Sequence, residues 1–382
     1  MDRRLFLLSS GATGLVAATG ATAFALTRTP TAALLPWSEA GGSRSDPRRF
    51  VVEHAILAPN PHNRQPWIVE LTGPTTMTLF CDLDRRLPET DPLDRQIVIG
   101  LACFCELAAV AATAIGHRLE VVPFPEGEAH PRLDRRPVAH LTLVPAAGAA
   151  VDPLFTQVMV RRSTKRPYDM ARPVPPAATA ALGALSAPGL TVAAVTDAAL
   201  TGQVRDLTWR AWEVEAATPR THQESVDLMR IGRREIEANP DGISLGGPFL
   251  EGLSLIGQRS RAQLADPASA ATRQGHDMYR AMLAATPAYV TVTAEDGSRA
   301  GAFAAGRAYL RANLTAASLG LAMQPVSQAL QEFPEMDGLR AELDRLLGTG
   351  RPKRLHMLAR LGYGPAVPQT PRWSAASRIR TA

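Results

Sequence analysis

The sequence predicts an α+β protein built as two tandem halves, on three observations. First, short stretches such as 67–71, 76–81 and 190–195 alternate or cluster apolar residues over strand-like lengths and are bounded by turn residues. Second, two Ala-rich helices, 96–116 and 301–320, are apolar on almost every side, as helices buried in a core are. Third, each of these helices ends at a glycine, leads into a strand-like segment and follows a strand of its own unit. This loose internal echo points to two related halves folded against each other. A length of 382 residues accommodates two domains or one large one.

In chain order, the residues Met1–Leu26 read as an address. Arg3 and Arg4 precede a 22-residue run, Leu5 to Leu26, that carries no charge and is rich in Gly, Ala, Ser and Thr. A charged start, an apolar middle and small residues near the end make an export signal. Arg3-Arg4-Leu5-Phe6-Leu7 resembles the twin-arginine type, so the twin-arginine export machinery is an expected partner and the protein is expected outside the cytoplasm. The alternative is a membrane anchor, since about 20 apolar residues span a bilayer. The twin-arginine route carries folded proteins, which favours a chain that binds a cofactor before export. Residues 27–48, rich in Thr, Pro, Gly, Ser and Arg, read as a flexible linker.

The first half is expected over 49–150. Its apolar helix, 50–57, stops before Pro59. Strands at 67–71 and 76–81 flank a turn at Gly73-Pro74. A polar loop, the long helix 96–116 and strands at 119–123 and 138–144 complete it. The second half is expected over 151–382. A helix begins at Pro176, since proline suits the first helical position; a strand follows at 190–195 and an amphipathic helix at 201–215. Residues 218–275 are polar and interrupted by Gly and Pro, and read as an insertion or lid with short helices, hinged by Gly242, Gly246 and Gly247. Then come strand 289–294, helix 301–320, strand 355–362 and an extended tail.

Composition excludes several classes. Net charge is +5, spread thinly, with no basic stripe and no nucleic-acid reading motif. Concentrated charge occurs only locally, at Arg161-Arg162 and Lys165-Arg166, which suits a small anionic ligand. Cys81, Cys103 and Cys105 are an odd count without a disulfide framework and read as buried small hydrophobes. No Cys/His cluster has zinc-ligand spacing.

Two stretches carry candidate chemistry. Arg161, Ser163 and Lys165 alternate, so an extended strand would turn them to one face as a phosphate cradle; a solvated basic turn is the alternative. In "PNPHNRQPW" (59–67), the amides of Asn63 and Gln65 can both donate and accept, which suits a planar polar ligand; capping the preceding helix is the alternative. Trp67 reads as core, and His54 and His62 as ordinary histidines lacking a third ligand nearby.

With these stretches in view, the chain resembles the flavin-dependent nitroreductase family, in its tandem, Acg-like branch with two reductase-like halves in one polypeptide. The resemblance rests on residues 60–67, on 161–166, on the helix from Ala308 to Leu321 running on to Gln324-Pro325-Val326-Ser327-Gln328, and on Thr370-Pro371-Arg372. It implies a nitroreductase-like fold, an intramolecular pseudo-dimer of helices around mixed or antiparallel sheets. It also implies one flavin mononucleotide (FMN) site. Pro61, His62, Asn63 and Gln65 would edge the ring. Arg161, Arg162, Ser163, Lys165 and Arg372 would hold the phosphate. Gln324, Ser327 and Gln328 would pass near the reactive ring nitrogen, although the acidic-glycine pair often found there is missing.

The implied activity is ping-pong hydride and electron transfer through flavin N5 to a small-molecule acceptor, nitroaromatic or quinone-like, with NAD(P)H as a possible donor. No side-chain nucleophile or acid–base pair is required. Two rivals stay open: a flavin-sequestering protein whose lid prevents turnover, and a membrane-tethered interaction protein on a decayed reductase scaffold.

Overall fold

A computed structural model describes Phe24 and residues 27–381. The expected export signal at 1–26 lies outside the described residues save for Phe24.

Eleven strands are found among the described residues: β1 (Trp67–Leu71), β2 (Thr76–Cys81), β3 (His117–Pro123), β4 (Ala139–Pro145), β5 (Leu190–Val195), β6 (Met229–Ile231), β7 (Ile243–Leu245), β8 (Ala288–Ala294), β9 (Ala322–Pro325), β10 (Arg354–Gly362) and β11 (Ile379–Thr381). They form a five-stranded sheet ordered β11-β1-β2-β4-β3, a four-stranded sheet ordered β5-β8-β10-β9, and the small pair β6-β7. Pairing in the two larger sheets is antiparallel except where β11 joins β1 in parallel. The class is therefore α+β, with one sheet built mainly from residues 67–145 and the other from 190–362. The tail crosses from the second sheet to the edge of the first.

The two Ala-rich helices run over Arg95–Thr113 and Arg299–Ser318, and they pack on each other. Close approach is possible because Gly306 has no side chain. A Cβ there would meet the Ile99 carbonyl oxygen at 2.6 Å and the Ala102 methyl at 2.7 Å. The Cys103 thiol donates to the Gly306 carbonyl at 3.2 Å. Helix Arg95–Thr113 is long and apolar enough to cross a membrane, yet most of it is buried within the protein. The large hydrophobic core runs continuously from Val98, Leu101 and Phe104 to Phe303, Leu310 and Leu314. All three cysteines are buried and free, with their thiol pKa values pushed up by burial.

One expectation is overturned. The linker assigned to 27–48 instead holds a helix, Thr31–Glu39, followed by a second that starts at Pro47 with Asp46 as its N-cap. Trp37 is 2% exposed and anchors the first of these helices. Alternation and helical periodicity were both too short to be legible in a nine-residue helix interrupted by Pro36.

The insertion has its own small core of Val226, Leu264 and Ala271, with short helices around β6 and β7. Gly242 is where it turns sharply. Its φ is +72°, and a Cβ would overlap the Leu228 carbonyl oxygen at 2.1 Å, so only glycine is accommodated.

Candidate functional site

The loop between helix Pro47–Ala55 and β1 is strained. His62, Asn63 and Gln65 have φ of 47°, 52° and 51°, in the left-handed region that non-glycine residues rarely adopt. Such conformations each cost on the order of 1–3 kcal/mol and persist where the surroundings over-determine them, commonly at binding sites. The constraints here can be named. Gly100 on the long helix lets the loop lie on its backbone: a Cβ there would come within 3.0 Å of the Asn60 Cβ and 3.1 Å of the Pro61 Cδ. The Asn60 carboxamide oxygen accepts from the Gln65 backbone N–H at 2.7 Å.

This loop meets residues from the far ends of the chain. Asn63 Oδ1 accepts from Arg372 Nη1 at 2.5 Å, and Asn63 Nδ2 donates to the Pro371 carbonyl at 3.1 Å. Arg372 also donates from Nη2 to the carbonyls of Leu57 and Ala58, at 3.3 and 3.2 Å. Arg161 Nη2 donates to the same Leu57 carbonyl at 2.5 Å, and its Nη1 to Asn313 Oδ1 at 3.3 Å. The stretches around 63, 161 and 372, remote in sequence, thus converge on the end of one helix.

The electrostatics there are unusual. Arg161 is 3% exposed and Arg372 is 4% exposed. Among the described residues no carboxylate forms an ion pair with either, or with the half-buried Arg162. Their hydrogen bonds go to backbone carbonyls and amide oxygens, and the Nε atoms of all three have no partner. Burial drives the Arg161 pKa down to about 10. Burial, reinforced by Arg161 and Arg162, drives Arg372 down to about 9. Both remain cationic at neutral pH. A buried unpaired charge is expensive, and a bound anion is what would relieve it. Guanidinium groups fit phosphate oxygens in a forked, charge-assisted geometry.

The strand-face expectation for Arg161, Ser163 and Lys165 needs correction. Ser163 pairs with Met323 in a parallel bridge and the Thr164 N–H donates to the Met323 carbonyl at 3.1 Å, so the segment does lie beside β9. Lys165, however, is exposed and acts on another group of residues. Its charge, after burial, helps hold the half-buried His62 near a pKa of about 4, and it pulls against the burial that raises Glu215 to about 7. The cationic cradle is therefore Arg161, Arg162 and Arg372, with Lys165 placed toward His62 and Glu215.

The amide expectation for Gln65 also needs correction. Gln65 is 0% exposed. Its Nε2 donates to the Pro240 carbonyl at 2.7 Å, and its Oε1 accepts from the Trp373 N–H at 2.9 Å. Gln65 joins loop, insertion and tail and has no free edge for a ligand. Asn63 is similarly engaged, its carbonyl accepting from Gly242 N–H at 3.2 Å. By contrast His62 keeps Nδ1 without a partner while Nε2 lies 3.4 Å from the Ser225 hydroxyl. Pro61 opens the short turn that carries it.

On the other side, Gln324 Oε1 accepts from Arg360 Nη1 at 2.6 Å. Arg360, 0% exposed, also donates to Thr286 Oγ1 and to the carbonyls of Arg166 and Ala285. Ser327 precedes the short turn Gln328–Leu330, and Gln328 and Gln331 hydrogen-bond the Glu215 carboxyl. Sequence reasoning missed Arg360 and Glu215, and it read Asn313 as a helix–helix contact, whereas the Asn313 carboxamide oxygen accepts from Arg161. Asn313 and Arg360 were polar residues inside apolar elements, a signal that was available. Trp67 is core, as expected, 0% exposed with its ring 5.2 Å from Phe104.

The insertion rests on this site. Asp241 pairs with Arg85 at 2.5 Å, Arg230 at 2.8 Å and Arg64 at 3.8 Å, and lies 3.5 Å from the Trp373 indole nitrogen. Burial opposes its ionisation, but the three guanidiniums hold its pKa below the usual carboxylate value.

No family model matches the chain. Two proteins of Mycobacterium tuberculosis, named "Putative NAD(P)H nitroreductase" Rv3131 (strain ATCC 25618 / H37Rv) and MT3217 (strain CDC 1551 / Oshkosh), are each 27% identical over 344 residues, covering 85% of this chain and 88% of theirs. Among solved structures, the chain is similar to the FMN-dependent nitroreductase NfnB of Mycobacterium smegmatis in complex with NADPH, with 18% identity, a TM-score of 0.36 and coverage of 58% of this chain and 94% of that one. It is also similar to a nitroreductase with bound FMN from Bacteroides fragilis, with 17% identity, a TM-score of 0.35 and coverage of 59% and 97%.

Proposed function

We propose that the chain is an FMN-dependent oxidoreductase of the nitroreductase family, in its tandem, Acg-like branch. The observation that carries this reading is the pair of buried guanidiniums, Arg161 and Arg372, meeting at one carbonyl oxygen without a carboxylate. The similarity to nitroreductases over most of the chain's length supports it.

Arg161, Arg162 and Arg372 hold the cofactor phosphate. Their unpaired Nε atoms supply donors that the fold does not use. His62 and the strained backbone of 61–65 present the ring end, and the segment from Met323 to Gln328 runs alongside Ser163 to form the opposite wall. When bound, FMN supplies hydride and electron chemistry at its ring nitrogen N5. His62 stays neutral at pH 7, so the positive charge near the ring end comes from Lys165 and Arg64. The donor in this reading would be a nicotinamide, and the acceptor a flat nitroaromatic or quinone-like molecule. The twin-arginine address carries the loaded protein out of the cytoplasm.

The purified chain is expected to be yellow, to release FMN on denaturation and to bleach with dithionite. Colourless protein that takes up no added FMN overturns the reading. Export is tested by N-terminal sequencing of the chain recovered outside the cytoplasm.

One observation favours a second reading, a flavin-holding protein with little turnover. The insertion packs directly on the loop, through Gln65 to Pro240, Asn63 to Gly242 and His62 to Ser225. Stopped-flow mixing with NADPH separates the two: flavin that reduces only with dithionite favours holding without turnover.

A further inference from the structure

The N-terminal helix Thr31–Glu39 belongs to no part of the site described above, yet it touches the arginine cluster directly. The Trp37 indole lies 4.6 Å from the Arg162 guanidinium and 5.8 Å from that of Arg372. Its N–H donates to the Thr370 carbonyl at 2.7 Å, which fixes the ring beside the tail that carries Arg372. The Arg372 backbone N–H donates to the Ala33 carbonyl at 2.9 Å. At the other end the segment is clamped to the insertion. Arg28 pairs with Glu251 at 2.9 Å, and Arg233 donates to the Thr27 carbonyl at 2.9 Å.

We infer that Trp37 is a positioning residue of the anion cradle, and that docking of the N-terminal helix and binding of the anion are one coupled event. The inference rests on the reading of Arg161, Arg162 and Arg372 as a phosphate site. An aromatic face is the one wall that can steady a guanidinium without neutralising it. A carboxylate there would occupy the donors that the anion needs. An aliphatic wall would give no electrostatic compensation, whereas a cation over an indole gains roughly 0.5–2 kcal/mol. Trp37 thereby steadies the planes of Arg162 and Arg372 without taking up their unpartnered Nε–H groups.

The helix itself is a weak element. It has nine residues, an internal proline and no side-chain cap, and helices of that length are marginal alone in water. Its order comes from what it docks on, so it can detach as a unit. An anion that fixes Arg162 and Arg372 fixes the surface on which Trp37 rests, and linkage makes the effect reciprocal.

The experiment uses the full chain freed of flavin. Trypsin cleavage after Arg28 and Arg44 is followed by mass spectrometry with FMN, with riboflavin, and with inorganic phosphate. FMN is expected to slow cleavage about tenfold and phosphate to slow it partly, while riboflavin, lacking the anion, leaves it unchanged. Trp37→Leu is expected to weaken FMN binding about tenfold and to abolish the protection, and Trp37→Phe to retain most of both. If Trp37→Leu does not fold, judged by circular dichroism, the wild-type protection pattern decides alone. Wild-type chain that binds FMN with unchanged cleavage, or a folded Trp37→Leu chain that binds FMN as tightly as wild type, overturns the coupling and leaves the phosphate reading standing. Failure of the wild-type chain to bind FMN overturns the reading beneath it.

Discussion

Arg161 and Arg372 donate to one and the same acceptor, the carbonyl oxygen of Leu57, at 2.5 and 3.3 Å. Two like charges share a buried carbonyl, with no carboxylate ion-paired to either among the described residues. Such an arrangement is costly for the polypeptide alone and well matched to a ligand of opposite sign. Inorganic phosphate should therefore raise the thermal midpoint of the flavin-free chain more than chloride does at equal ionic strength. Arg372→Gln should erase that difference. Differential scanning calorimetry checks both, and equal effects of the two salts on the wild type would refute it.

Glu215 gives a pH signature. Burial raises its pKa to about 7, against the hydrogen bonds from Gln331 and Gln328. The unfolded value is near 4.5, so the folded state binds the extra proton between roughly pH 4.5 and 7, and stability falls as pH rises through that window. Glu215→Gln keeps an acceptor for Gln331 and removes the charge. It should be more stable than wild type at pH 8 by about 1–3 kcal/mol, with the gain shrinking toward pH 5. Urea unfolding at the two values measures it.

His62 works in the opposite sense. Burial first, then Lys165 and Arg64, lowers its pKa to about 4 from 6.5. The unfolded chain takes up this proton first, so stability is intact above pH 6.5 and declines as pH falls toward 4. His62→Gln should flatten that acid limb in a pH series of unfolding midpoints.

Gly306→Ala sets helix propensity against packing. In a solvated helix the change would stabilise by about 1 kcal/mol. Here the new methyl meets the Ile99 carbonyl oxygen at 2.6 Å, and overpacking of this kind costs roughly 1–3 kcal/mol. Net destabilisation is expected by denaturant unfolding, because the overlap is with backbone, which cannot rotate away.

Asp241→Asn tests the insertion as a cover. Loss of the charge that gathers Arg64, Arg85 and Arg230 should loosen residues 218–275. Faster proteolysis within that span is expected. If the cover limits turnover, the rate of flavin reduction by NADPH should rise several-fold, which stopped-flow absorbance would detect.

Much of this architecture was legible in the sequence, and the exceptions have physical causes. β1, β2 and β5 fall where alternation placed them, and the two long helices differ from expectation only at their ends. The stretches around residues 63 and 161 are joined through the Leu57 carbonyl and Arg372, a relation periodicity could not supply. The partners of Asn63 and Gln65 were illegible because they lie on Pro371, Trp373, Pro240 and Gly242, all remote in sequence. Lys165 was misplaced because the segment makes an isolated bridge at Ser163 and is not a strand, so strict alternation does not hold along it. The N-terminal helix and β11, with nine and three residues, are ordered by what they dock on and carry no pattern of their own.

The path of the tail orders events in time. Leu57 and Arg372 are separated by 315 residues, so the ribosome delivers the helix end first, Arg161 next and Arg372 last. A nascent chain that has made every strand through β10 still lacks Arg372 and the β11 edge of the first sheet. On the proposed reading, a product cut short before residue 372 would lose one of the three guanidiniums together with the β11 edge, and its hold on the anion would weaken.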